Sequence, residues 1–174
     1  VCDALMAAHS AGLIHRDIKP ANILLAQQSG SEVVKVLDFG IATFVDTPVK
    51  NSNTTDTFLG TPAFIAPESL TGKSVDARSD IYSVGVTLYS LLTGKLPHRA
   101  DSESPLLQVL AQLHSPAVPI EKRRFDLPRE VCKMIMAAIS SEPQLRPSLQ
   151  NIKELLLGYT SGLADLSSPE LSES

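Results

Sequence analysis

Eight residues, His15-Arg16-Asp17-Ile18-Lys19-Pro20-Ala21-Asn22, gather two acid–base groups, two cations and an amide on a stretch that Pro20 stiffens. Asp17 can accept a proton from a hydroxyl, and Lys19, two residues on, can neutralise charge on a phosphoryl group in transit. Asn22 offers an oxygen to a hard cation. A second carboxylate, Asp38, stands in Asp38-Phe39-Gly40, after two β-prone runs. Magnesium takes oxygen ligands of this kind together with phosphates. A base, a cation and two oxygen ligands are the parts phosphoryl transfer needs, because its catalysis is mostly positioning and charge stabilisation. A third cluster, Gly60-Thr61-Pro62-Ala63-Phe64-Ile65-Ala66-Pro67-Glu68, closes a long polar stretch.

The elements that must position these groups are legible in outline. Leu5, Ala8 and His9 share a helical face ahead of Gly12. Ile23-Leu24-Leu25 and Val33 to Leu37 flank the turn-forming residues 27–31, which predicts a small hairpin. Residues 41–62 read as one long loop, and loops of that length in a compact domain are usually functional or disordered. From Arg78 the period becomes helical through Ile81, Val84, Leu88, Leu91 and Leu92, with Gly94 and Pro97 as stops; a helix this apolar on most sides is expected to be buried. Three amphipathic stripes follow: Leu106/Leu110/Leu113, Val131/Ile135/Ala138/Ile139, and Leu149/Ile152/Leu156 with Gly158 as its end. Residues 158–174 are Ser-rich and read as a disordered tail. The fold class predicted is mainly α with a small β-hairpin.

The three clusters, in this order, resemble the signature set of the eukaryotic-like serine/threonine protein kinases: the His-Arg-Asp loop with its Asn, Asp-Phe-Gly, and Ala-Pro-Glu. The only substitution in the catalytic-loop pattern is Ile18 for Leu. The resemblance runs from about residue 3 to 157 and is to the C-terminal, larger lobe of the kinase fold, with the N-terminal lobe absent. It implies Asp17 as catalytic base and Lys19 as the phosphate-contacting lysine of the Ser/Thr branch. Asn22 and Asp38 become the Mg²⁺ ligands and Leu24 the floor beneath the adenine of ATP. His15 and Phe39 would stack in an internal column, Thr61 would bond Asp17 and Lys19 and favour Ser or Thr acceptors, Glu68 would pair with Arg146, and Asp80 would cap the catalytic loop. Arg16, next to the base, goes with activation by phosphorylation of the long loop, and Thr57 is the first candidate acceptor, ahead of Thr54 and Thr55. Autophosphorylation or dimerisation of the parent kinase would fit the same scheme. The general style of Val33–Ala42 and Asp80–Gly94 suggests bacterial relatives.

Each motif has a plainer reading. Asp38-Phe39-Gly40 standing alone would be an ordinary turn, and Glu68 and Arg146 are structural rather than catalytic. His9, His98 and His114 read as surface or core filler, and Cys132 as a buried structural thiol.

Composition bounds the rest. The chain has 174 residues with Lys+Arg 15 against Asp+Glu 19, a net charge of −4, which argues against nucleic acid as the partner. Two distant cysteines make neither a disulfide scaffold nor a zinc site, so a reducing, cytoplasmic setting is expected, with any membrane anchor of the parent outside these residues. Ile81–Leu92 is far too short to span a bilayer. The nine glycines include no two that stand two apart, so there is no G-x-G phosphate loop within the chain. The chain also opens on Val inside an amphipathic pattern, and is therefore expected to be part of a longer protein. Two functions follow. One is a serine/threonine kinase that transfers the ATP γ-phosphate to Ser/Thr hydroxyls, with this piece inactive alone; the other is a catalytically silent docking module built on the same lobe.

Overall fold

The computed structural model describes residues 1–28, 30–39, 62–98 and 104–167, with the backbone alone over 161–167. Helix α1 (Cys2–Ser10) leads into the catalytic-loop residues, which close on a 3-10 turn at Pro20–Asn22. Strands β1 (Ile23–Gln28) and β2 (Ser31–Val36) form an antiparallel pair in the register Ile23 opposite Val36 through Gln28 opposite Ser31. The strands run longer than the sequence predicts. Ala26, Gln27 and Gln28 on one strand and Ser31 and Glu32 on the other extend the ladder. Then come a 3-10 turn at Pro62–Phe64 and the helices α2 (Pro67–Leu70), α3 (Arg78–Thr93), α4 (Pro105–His114), α5 (Arg129–Ala138) and α6 (Leu149–Ser167). The expected hairpin and the helical second half are both present, and α2 is an additional short turn of helix.

Helix α3 is the centre of the core. Residues 79 to 87 and Tyr89 are all buried, so the helix is enclosed on nearly every side along its first two turns. Its polar residues there, Ser79, Asp80, Ser83 and Thr87, are buried too. Toward its end the enclosure stops, and Leu91 is 65% exposed, against the expectation of a buried stripe. Gly94 ends the helix in the left-handed region, φ 66°, donating its amide to Ser90 O at 2.8 Å.

Helix α5 packs on α3 at Gly85. A Cβ at that position would lie 2.8 Å from Ala138 Cβ and 2.9 Å from Ile139 Cγ2, so the missing side chain is what allows the helices to approach. The α5 stripe is buried as its period predicts: Val131, Ile135, Ala138 and Ile139 all join the core. Leu149 and Ile152 anchor α6 in the same core, and Lys153 reaches Asp3 of α1 at 2.6 Å.

Two sequence expectations are corrected here. Helix α6 passes Gly158 and continues to Ser167 rather than giving way to a tail. A helical glycine costs only about 1 kcal/mol relative to alanine, and Tyr159, packed against the core one residue later, offsets it. In α4 the leucine stripe does not face inward. Leu106, Leu107 and Leu110 are 59%, 45% and 42% exposed, while Val109, Ala111 and Gln112 are buried. The face of α4 that meets the 62–65 turn meets the Ile65 carbonyl, which the Gln112 amide can satisfy and a leucine cannot. No helix among the described residues is long and apolar enough to cross a membrane.

Candidate active site

The catalytic loop is built on a buried carboxylate. Asp80, in the first turn of α3 and fully buried, accepts from His15 N (2.8 Å, Oδ2) and Arg16 N (2.8 Å, Oδ1). Its two oxygens thereby hold the backbone of residues 15 and 16. His9 completes this arrangement: its Nε2 lies 2.7 Å from Asp80 Oδ2. Filler was the wrong reading of His9. Its partner lies 71 residues away, and only tertiary folding brings them together. The clamp has a backbone cost to offset, since Arg16 sits at φ 66°, a region disfavoured for any residue with a Cβ.

His15 is fully buried and its two ring nitrogens have different partners. Nε2 lies 2.9 Å from Leu37 O, a carbonyl that can only accept, so Nε2 carries the proton. Nδ1 then accepts from Asp17 N at 3.3 Å. The ring ties the loop to the end of the hairpin, and Phe39 packs against it with centroids 4.6 Å apart and the ring planes tilted by 58°.

From this base the functional side chains converge. Lys19 Nζ donates to both Asp17 oxygens at 2.9 Å. Asn22 Nδ2 donates to Asp17 O and to Asp17 Oδ2, both at 2.8 Å. The carboxylate is thus aimed by a cation on one side and an amide on the other, while the Asp17 side chain stays 32% exposed. Asn22 uses its NH₂ group on Asp17, which leaves Oδ1 as the atom it can offer elsewhere. Leu37 N donates to Asn22 O at 2.9 Å, so Asp38 follows directly on the backbone partner of Asn22. Asp38 is exposed and also left-handed, φ 57°. Strain at two motif residues, Arg16 and Asp38, is the pattern functional loops show. Leu24 is 46% exposed on β1, and Arg16 presents an exposed side chain beside Asp17. Thr57 and Thr61 lie outside the described residues, as does Gly40.

Glu68 and Arg146 form a buried ion pair. Arg146 donates from Nη1 and Nη2 to the two Glu68 oxygens at 2.6 and 2.8 Å, from Nη1 to Arg78 O and from Nε to Ser140 O, both at 2.9 Å. Its guanidinium also lies 5.1 Å from the centre of the Tyr82 ring. Ser79 Oγ adds a bond to Glu68 Oε1 at 2.8 Å. Burial pushes the Glu68 carboxyl up, but the bonds from Arg146, the backbone and Ser79 outweigh it and hold its pKa below the ordinary value. A bidentate, fully hydrogen-bonded pair is the form in which buried charges persist.

The oxygen set of Asn22 and Asp38 suits a hard divalent cation. The protein kinase domain family matches residues 1–156, and the chain belongs to that family. Its curated relatives include bacterial serine/threonine kinases. It is 40% identical over 147 residues to serine/threonine-protein kinase Pkn1 of Myxococcus xanthus, covering 84% of this chain and 21% of that protein. It is 38% identical over 163 residues to serine/threonine-protein kinase PkaA of Streptomyces coelicolor, covering 94% and 28% respectively. The fold matches the crystal structure of the Mycobacterium tuberculosis PknI kinase domain with a TM-score of 0.63 and 29% identity, over 90% of this chain and 51% of that one. The chain therefore spans between 21% and 28% of the length of these two relatives and about half of a solved kinase domain.

Proposed function

We propose that this chain is the larger, helical lobe of a bacterial-type serine/threonine protein kinase, and that the kinase transfers the ATP γ-phosphate to Ser or Thr hydroxyls of proteins. The observation that carries this reading is the convergence of Lys19 and Asn22 on the Asp17 carboxylate. In the transfer, Asp17 accepts the proton of the attacking hydroxyl. Lys19, fixed against Asp17, has its charge where the phosphoryl oxygens pass. Asn22 Oδ1 and the Asp38 carboxylate would hold Mg²⁺, which when bound would neutralise charge on the phosphates. Leu24 on β1 floors the adenine. The role of Thr61 on this reading is to favour Ser or Thr acceptors, and Asp80 keeps the loop in shape. Exposed Arg16 is the partner for a phosphate on Thr57, which would carry about −1.5 to −2 charges. A cytoplasmic location goes with this reading, since both cysteines are free and ATP is the donor.

The 174 residues hold no G-x-G phosphate loop, so the isolated chain is expected to transfer no phosphate. Radiolabelled ATP and a Ser/Thr peptide, given in parallel to the parent kinase and to the 174-residue chain, test both halves of the proposal. The expected result is labelling by the parent alone. Labelling by the short chain would overturn its inactivity. A silent parent would overturn the kinase reading and leave a docking module.

A further inference from the structure

The corner between α4 and α5 holds an apolar side chain out from the protein. Phe125 is 95% exposed, more than any other large apolar residue among those described. Its backbone is nonetheless pinned. The amides of Arg123 and Arg124 both donate to O of the buried Ile120 at 2.9 Å. Arg123 Nη1 donates to Leu96 O and Arg124 Nη1 to Leu92 O, each at 2.7 Å. Arg124 also holds Asp126 through two bonds, at 2.8 and 2.7 Å. Lys122, three residues before the phenyl ring, is exposed.

A groove of about 440 Å³ opens between α5 and α6. Pro128, three residues after Phe125, lines it. Tyr159 lines it too, and stands close enough to Arg124 to add to the rise in the Arg124 pKa that Asp126 causes. The groove therefore lies beside the corner that presents Phe125. Val131 and Leu155 give it apolar surface and Glu130 and Glu154 give it acid, while no cation among the described residues lines it. Its volume is ample for a phenyl ring, since pockets for drug-sized molecules begin near about 300 Å³.

Gly158 lines the same groove from inside α6. A Cβ there would meet nothing within 4 Å, in contrast to Gly85, where the missing side chain lets α5 approach. Glycine inside a helix is destabilising relative to alanine. At 158 it keeps open a space that its own chain does not fill.

We propose that this face is a self-association surface, in which Phe125 of one copy enters the α5–α6 groove of a second copy and receives that copy's Phe125 in return. A projecting ring beside a groove suits a two-fold axis, and the exchange closes at two copies. The charges are complementary: Lys122 accompanies the ring, and Glu154 and Glu130 edge the groove, Glu130 being shared with Lys133 at 3.0 Å. The last residues of the chain match the groove less well, because 168–174 carry Glu170 and Glu173 and no cation. A contact of two rings and two grooves is at the small end of protein interfaces, which sets a dissociation constant on the order of 100 μM. None of this depends on the kinase reading.

The chain contains no Trp, so Phe125→Trp places a single indole at the contact. The measurements use the 174-residue chain with Leu25→Ser throughout, which keeps the hairpin edge from adding its own association. As the concentration of the Phe125→Trp chain rises to about 1 mM, ten times the expected constant, its emission maximum should move to shorter wavelength. Adding Gly158→Leu, which fills the groove, should abolish that shift and leave the melting temperature equal or higher. In sedimentation equilibrium, Phe125→Ala should weaken the dimer about 100-fold, since a loss of about 10-fold at each of two equivalent contacts is counted twice. An emission maximum independent of concentration would overturn the proposal and leave the groove to another occupant. So would a shift that survives Gly158→Leu, or a dimer that Phe125→Ala leaves intact, because either puts the contact elsewhere. A Gly158→Leu chain that melts well below its parent would overturn it as well, by making the glycine a need of the chain's own packing.

Discussion

The hairpin edge and the helical base of this molecule are held by opposite means. In the base, charge and apolar surface are both enclosed: Glu68 and Arg146 satisfy one another inside the protein, and α3 is buried along its first two turns. At the hairpin edge, Leu24, Leu25, Val34, Leu37 and Phe39 are 38–68% exposed. A two-stranded ribbon is marginal without a surface packed on it. The edge is tied to the base by Leu37 O on His15, with Asp80 under the loop, and by Val36 packed against the core. The base encloses its apolar surface, while the edge leaves much of its own exposed.

That contrast can be broken most severely at Arg146. Arg146→Ala strands the Glu68 charge in the interior and should cost about 3–5 kcal/mol in a denaturant titration, enough to unfold a marginal domain. A loss below about 1 kcal/mol would mean the base does not depend on the pair. Gly85→Ala should come next, at about 1–3 kcal/mol, because α5 must move away from a new methyl group 2.8 Å from Ala138 Cβ.

The Glu68 pair also predicts a direction with pH. Its folded pKa lies below the ordinary 4.5. The stabilisation is thus complete above that value and is lost as pH falls from it through the lower folded pKa. Melting temperatures taken between pH 3 and 7 should show this acid limb, and Glu68→Gln should flatten it. The smallest effect belongs to the edge. Leu25→Ser, at a side chain 68% exposed, should change stability by no more than about 0.5 kcal/mol. It should also reduce self-association in sedimentation runs, since exposed apolar patches promote it. A large destabilisation there would erase the distinction between the two regions.

The sequence showed the local parts of this structure well. Asp17, Lys19 and Asn22 lie within six residues of one another, and the spacing alone brings them to one loop. The α5 stripe was legible because both its period and its burial follow from one packed face. What stayed hidden depends on distant partners. His9 meets Asp80 only after α1 and α3 pack together, and nothing near His9 marks it. Helix α4 misleads for a related reason. Amphipathic spacing shows that a helix has an apolar side, but not whether this protein covers that side, and here Gln112 is turned inward while three leucines face out. Gly158 carried a helix-stop signal too weak to outweigh the packing of Tyr159.

The most direct test of the central claim is phosphate transfer from ATP to a Ser/Thr peptide by the parent kinase and by its Asp17→Asn form. Asparagine keeps the shape and can still bond Asn22, but it cannot take the proton. The account predicts loss of turnover, with the melting temperature and the near-ultraviolet circular dichroism unchanged. Turnover within a few-fold of wild type in a folded Asp17→Asn protein would contradict it.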